Sequence, residues 1–371
     1  MLYKAGGLEN MLTYLTEFGN VGLQERPFGE VDALVLCQFS YLQFGQNRVQ
    51  GNTSFTIFQE QNTESLFQNP WYADFNRKIW SLFAEGTRFG RMPLLFYEEE
   101  SDDEQTKQFA AITIQLSEHV YFLIFRGTDD QLIGWKEDLY LGLSRPTRGQ
   151  LAAVSYTKKV MMELKKKDAR AAFYLGGHSK GGNFAVYAAM QLPDEWQEYI
   201  LQIYSMDGPG FRPEIRAAGG YEAIREKIVK IVPESSIIGL ILETEPERSK
   251  VIKSHSRGLL QHNPANWIIE RGEFVETEKI HLGSRLFQQT FNTWLYSLTE
   301  EQILFFVDTL FGVLEKTESK TLSGLQENWQ TYVPVIGKEC LAFGPEELSR
   351  LGNMLRQLLQ VLREQHNSFD D

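Results

Sequence analysis

The sequence predicts an α/β fold in which a mainly parallel central sheet is flanked by helices, with helical additions at both ends. Three observations predict it. From residue 106 to about 283, short apolar runs alternate with helical stretches, the pattern of strands joined by crossover helices. One such run, Ala171-Ala172-Phe173-Tyr174-Leu175, passes directly into Gly176-Gly177-His178-Ser179-Lys180-Gly181-Gly182 and then into a helical stretch. After about Ser284 no strand-like run appears. The expected division is a helical N-terminal region over 1–105, an α/β core over 106–283 and a helical C-terminal region over 284–371 packed on that core.

Taken in order, Asn10 is placed to cap a helical turn over Met11–Leu15. Val31, Leu34, Val35, Gln38, Tyr41 and Leu42 fall near helical spacing and predict a helix over 31–44. Asn52-Thr53 and Asn69-Pro70 act as breakers in the next stretch, over 45–70. The aromatic-rich segment from Trp71 to Phe83 reads as a helix; packing is its ordinary role, and it could also close over a pocket as a lid. Ser101-Asp102-Asp103-Glu104 reads as an exposed acidic loop. Phe109–Leu116 and Val120–Phe125, parted by Ser117-Glu118-His119, read as a hairpin whose second strand ends in Arg126-Gly127-Thr128. Helices are expected over Gln150–Lys167 and Asn183–Gln191, and an amphipathic one over Glu214–Lys227. Strands are expected over Tyr199–Ser205, Ile228–Val232, Ser249–Lys253 and Trp267–Val275. Glu300–Lys316, Leu322–Val333 and Pro345–Glu364 complete the chain as helices.

The 371 residues, 42% hydrophobic and 23% charged, are enough for a substantial core. A net charge of −12 argues against a nucleic-acid binder, which needs clustered cations; Lys158-Lys159 and Lys165-Lys166-Lys167 share one helix and read as a solvated face. Cys37 and Cys340 form no zinc or Cys-x-x-Cys spacing and suit a reducing compartment, with both thiols expected to be buried and inert. Met1–Asn20 lacks the basic start and apolar run of a signal peptide. Phe109–Phe125 is broken by Glu118-His119 and is too short to span a bilayer. The expectation is a soluble, cytoplasmic protein with no integral membrane segment, transient membrane contact being left open.

Gly177, Ser179 and Gly181 form a Gly-x-Ser-x-Gly pattern between strand and helix, which places a serine hydroxyl on a tight turn above the sheet. The helix after it aims its free N–H groups at the spot where negative charge would develop during attack on a carbonyl. Such a serine needs a base, and from this turn the acid and then the histidine come later in chain order. His119 precedes the serine, His178 lies inside the turn and His366 is in the tail, which leaves His255, His262 and His281. His262 is favoured because its loop enters the last strand pair. For the acid, Asp207 and Glu234 both follow strand ends; Asp207 is favoured, with Glu234 as the alternative. The Lys180 backbone N–H and the Thr128 loop are the candidate oxyanion donors. Arg126 is expected to pair with a carboxylate such as Asp138.

Phe125-Arg126-Gly127-Thr128, then Trp135 and Asp138-Leu139, together with Gly177-His178-Ser179-Lys180-Gly181-Gly182, resemble the paired motifs of the class 3 (fungal-type) lipases. The resemblance covers roughly residues 105–270 and is closest to a bacterial lipase-like branch. It implies an α/β-hydrolase core, Ser179 as nucleophile and Thr128 in the oxyanion hole. Lys180 stands where that family has Leu or Met, which would put a cation beside the mouth of the site. The stretch Ile231-Val232-Pro233-Glu234-Ser235-Ser236, comparable to the segment that carries the family's acid, has no aspartate.

The function expected is cleavage of a small-molecule or lipid carboxylic ester by Ser179, His262 and Asp207, with Thr128 and Lys180 at the oxyanion and neither cofactor nor metal. The alternatives are an inactive hydrolase fold kept for binding or scaffolding, and a thioesterase or acyltransferase on the same triad.

Overall fold

The computed structural model describes residues 9–45, 54, 64–67 and 72–369. The expected breakers Asn52-Thr53 and Asn69-Pro70, and Trp71 at the start of the aromatic stretch, lie outside the described residues. Helices α1 (Met11–Phe18), α2 (Glu30–Phe39) and α3 (Ala73–Glu85) precede the sheet. Strands β1 (Leu94–Asp102), β2 (Lys107–Ser117) and β3 (Val120–Phe125) form an antiparallel meander. After α4 (Leu132–Tyr140) and α5 (Arg148–Lys167), β4 (Ala172–His178) pairs in parallel with β3, and α6 (Lys180–Met190) leads on to β5 (Ile200–Met206). Strands β6 (Ile228–Pro233) and β7 (Lys250–Ile252) continue the parallel pairing, giving one seven-stranded sheet in the order β1-β2-β3-β4-β5-β6-β7.

Spatial order therefore equals chain order. Parallel crossovers of one hand between successive neighbours put the connecting helices on the same face of the sheet. That face is packed by Tyr156 and Val160 of α5 and Phe184 and Ala188 of α6 against Tyr121, Leu123, Phe125, Leu175 and Ile203. The pleat turns Phe122 and Ile124 to the other side, which the crossovers leave bare. Here α2 covers it: every residue from Val31 to Phe39 is buried, packed with Phe122, Ile124, Tyr204, Met206 and Ile231. A buried ion pair, Arg88 Nη2 to Asp32 Oδ2 at 2.5 Å, and a 2.5 Å hydrogen bond from the Tyr14 hydroxyl to Asp32 Oδ1 fasten α1, α2 and the turn after α3 together. The N-terminal helices thus complete the core.

Beyond the sheet a two-stranded ribbon, β8 (Ile269–Glu270) and β9 (Glu273–Phe274), precedes five helices: α7 (Leu282–Ser297), α8 (Glu300–Glu315), α9 (Leu322–Glu327), α10 (Trp329–Leu341) and α11 (Pro345–Phe369). Trp294, Leu295, Val307 and Phe311 of this group pack with Leu132, Leu141, Met354 and Val361. Among the described residues no helix is long and apolar enough to cross a membrane.

The fold departs from expectation in several places. Strand β1 is an edge strand bearing Glu98-Glu99-Glu100 and a register shift between Leu95 and Glu98, which hide its alternation; it absorbs Ser101 and Asp102 of the expected loop. The helix expected over Glu214–Lys227 is broken at Gly219-Gly220 into short pieces, Pro213–Ala218, Tyr221–Ile224 and a 3₁₀ turn over Arg225–Lys227. Trp267–Val275 is the small β8–β9 ribbon and not one strand. Cys37 is buried, but Cys340 is exposed, because α10 buries none of its residues.

Candidate active site

Strands β3 to β7 are parallel, so their carboxyl ends share one edge, where such sheets place their sites. Each delivers one residue or turn to that edge: Thr128 after β3, Ser179 after β4, Asp207 after β5, Ser236 after β6 and His262 after β7.

Ser179 sits at φ 58°, ψ −130°, between the last residue of β4 and the first of α6. A non-glycine residue in this region is strained and persists only where its surroundings hold it. The flanking glycines are required by close approach: a Cβ on Gly177 would lie 2.3 Å from the Gly181 carbonyl carbon, and one on Gly181 would lie 2.1 Å from the Phe125 oxygen. Lys180 is the first residue of α6, whose Gly182 N–H donates to the Ser179 carbonyl at 2.9 Å.

His262 Nε2 lies 2.9 Å from Ser179 Oγ, and His262 Nδ1 lies 2.7 Å from Asp207 Oδ2. A carboxylate can only accept, so Nδ1 carries the proton and Nε2 presents its lone pair to the serine hydroxyl. Asp207 is fully buried, at φ 49° where β5 ends. Its Oδ1 accepts from Ser236 Oγ at 2.6 Å, so both of its oxygens are engaged. The structure brings Ser179, His262 and Asp207 into one line and leaves the alternatives outside it. Glu234 faces His281 at 3.6 Å, and His255 is exposed.

Several residues differ from the sequence-based expectation. Arg126 pairs with Glu99 at 2.7 Å and Asp129 at 3.7 Å, not with Asp138. Asp138 instead accepts the Thr128 hydroxyl at 2.6 Å. The Lys180 cation is not at the mouth of the site: the residue is 1% exposed, and its Nζ lies 3.2 Å from Glu137 Oε2 beneath the Thr128 loop. Burial pushes the Asp138 carboxyl up to about 6, against the pull of Lys180 and the Thr128 hydroxyl.

Other contributors were missed from sequence. His178 Nε2 is 2.8 Å from the His262 carbonyl, to which it can only donate; its Nδ1, 2.8 Å from the Tyr41 hydroxyl, therefore accepts. This clamp fixes the His262 backbone from within the elbow. Burial, then the neighbouring His262, holds His178 well below the usual imidazole range, so it works as a neutral group. A cavity of about 410 Å³ opens over Ser179 and His262. Leu295 of α7 and Phe306, Val307 and Leu310 of α8 form its apolar wall. Tyr41 and Tyr72 of the N-terminal region also line it. The spacing of Ile303, Phe306, Val307 and Leu310 along α8 is the sequence signal that could have found this wall.

The sequence model of a family described as Mbeg1-like matches residues 83–312, more than half of the chain. Among solved structures, the chain is similar to a fungal lipase in complex with an inhibitor, described as a model for interfacial activation in lipases, at 17% identity and a TM-score of 0.33. That match covers 44% of this chain and 65% of the fungal one, so the chain spans less than two thirds of that lipase. It is also similar to M37 lipase, at 13% identity over 70% of this chain and 78% of the other, with a TM-score of 0.36. No curated protein matches the chain.

Proposed function

The chain belongs to the Mbeg1-like family, and from that premise and the geometry of its site we propose that it is a serine hydrolase of carboxylic esters with an apolar acyl group. The observation that carries the reading is the unbroken line from Asp207 through His262 to Ser179, at 2.7 and 2.9 Å. Ser179 Oγ attacks the ester carbonyl while His262 Nε2 takes its proton. Asp207 holds the ring in this tautomer and stabilises the cation that forms. The Lys180 N–H and the Thr128 loop face the developing oxyanion. His262 then protonates the departing alcohol, leaving an acyl-enzyme. Water, deprotonated by the same histidine, releases the acid and restores Ser179.

The cavity supports the choice of substrate. Its wall of Leu295, Phe306, Val307 and Leu310 offers an acyl chain burial and no ionic partner, and each buried methylene contributes about 0.8 kcal/mol. We read residues 106–283 as the catalytic core, 1–105 as the region that adds edge strand β1 to its sheet and covers its second face, and 284–371 as the source of the acyl-binding wall. The unpaired Cys37 and Cys340 support a cytoplasmic setting. The test is hydrolysis of p-nitrophenyl esters of graded chain length: wild type turns them over and Ser179→Ala does not. Equal turnover by both proteins would refute the reading.

A further inference from the structure

The residue after the serine departs from the lipase-like pattern, and its side chain has no role in the mechanism above. Lys180 is 1% exposed, and Glu137 is fully buried. The ammonium lies 3.2 Å from Glu137 Oε2, 3.4 Å from the Gln108 side-chain oxygen and the Gly134 carbonyl, and 3.9 Å from Asp138 Oδ1. Glu137 also accepts from the backbone N–H groups of Gly149 at 2.6 Å and Gln108 at 3.0 Å. Removing two charges from water is costly unless each is paired and hydrogen-bonded. Here both are, at the point where α4 meets the start of α6.

The two ends of Lys180 thus reach the two halves of the oxyanion site. Its N–H faces the site from the serine side. Its ammonium grips α4, which carries Asp138, and Asp138 accepts the hydroxyl of Thr128 from the opposite side. We propose that the Lys180 side chain is a positioning residue that ties the elbow to the Thr128 loop and holds Asp138 in place as the acceptor for the Thr128 hydroxyl. The proposal rests on the serine-hydrolase reading above.

The groups that act on Asp138 are Lys180 from α6, Glu137 from α4, Thr128 from the loop after β3, His262 from the loop after β7 and Tyr41 from the segment after α2. Lys180 is the strongest of those favouring the carboxylate, ahead of Thr128 and of the opposing Glu137. Loss of the ammonium therefore leaves Asp138 protonated over more of the neutral range. A protonated Asp138 keeps an acceptor oxygen but loses the charge-assisted bond that fixes the Thr128 hydroxyl.

The test compares p-nitrophenyl ester hydrolysis across pH for wild type, Lys180→Met and Lys180→Met/Glu137→Gln. The paired variant removes both buried charges and reads kcat if the single variant does not fold; the limb is read on the single variant, because Glu137 opposes Lys180 at Asp138. The expected result is a kcat lower by about ten- to a hundred-fold, less than the roughly hundred- to thousand-fold loss on removing an oxyanion donor outright, with KM within about two-fold and the acidic limb of Lys180→Met moved to higher pH. A folded variant, single or paired, with wild-type kcat overturns the proposal while leaving the hydrolase reading intact, as does an unmoved limb in a folded Lys180→Met. An inert wild type overturns both.

Discussion

Asp207 Oδ2 stands 2.7 Å from His262 Nδ1, although 55 residues separate them in the chain. The contact exists because β5 and β7 end on the same edge of the sheet, with β6 between them. The turn after β6 fills the gap with Ser236, which donates to the other Asp207 oxygen. Asp207→Asn is predicted to lower kcat by about 10³- to 10⁴-fold, because the amide can no longer hold His262 in the required tautomer. Steady-state kinetics with a short-chain ester check this, with KM expected to change little.

The choice of base gives a paired prediction. His262→Ala abolishes turnover because Ser179 Oγ loses its proton acceptor at 2.9 Å. His255→Ala and His281→Ala stay within about two-fold of wild type, since both side chains are exposed and neither reaches the serine. Initial rates on one substrate decide among the three.

The elbow tolerates no added carbon. In Gly181→Ala the new Cβ would lie 2.1 Å from the Phe125 carbonyl oxygen, which is backbone and cannot turn away. A loss of about 1–3 kcal/mol is expected from overpacking at such a site. Urea denaturation measures it.

Neutral His178 sets a pH dependence of stability. Its folded-state pKa is depressed, so below about 6.5 the unfolded chain takes up a proton that the folded chain refuses. Its contribution is present above that pH and is lost as pH falls toward the folded value, at about 1.4 kcal/mol per pH unit. Asp138, raised to about 6, works in the opposite direction, since the folded chain there takes up the proton first. His178→Gln should therefore lose less stability than wild type between pH 7 and pH 5.5, measured as the shift in urea midpoint.

Chain-length preference should track the wall. Val307 is 1% exposed and lines the cavity. Val307→Phe is predicted to lower kcat/KM for long acyl chains relative to short ones, by about four-fold for each methylene displaced. The ratio across a p-nitrophenyl ester series reads this directly.

The sequence made the nucleophile legible because its constraints are local. Gly177, Ser179 and Gly181 answer to a single turn, and Thr128 comes after a strand rich in apolar residues. Asp207 against Glu234 was a tertiary question, since both come after strand ends and only the spatial order of β5, β6 and β7 decides which one meets His262. The direction of the Lys180 side chain was hidden because its partner Glu137 lies on α4, a short helix containing Gly134 that gives no clear periodic signal. The cover provided by α2 was hidden for a related reason. A helix buried along its whole length carries little amphipathic contrast, and the bare face it fills is a product of the strand order.

The central claim is that Ser179 is a nucleophile activated by His262. The most direct measurement is reaction with a fluorophosphonate probe, with intact-mass analysis and peptide mapping of the product. One adduct is expected on wild type, located on Ser179, with no adduct on Ser179→Ala and labelling slowed at least a hundred-fold in His262→Ala. An adduct that survives in Ser179→Ala, or a folded wild-type protein that the probe does not modify, would contradict it.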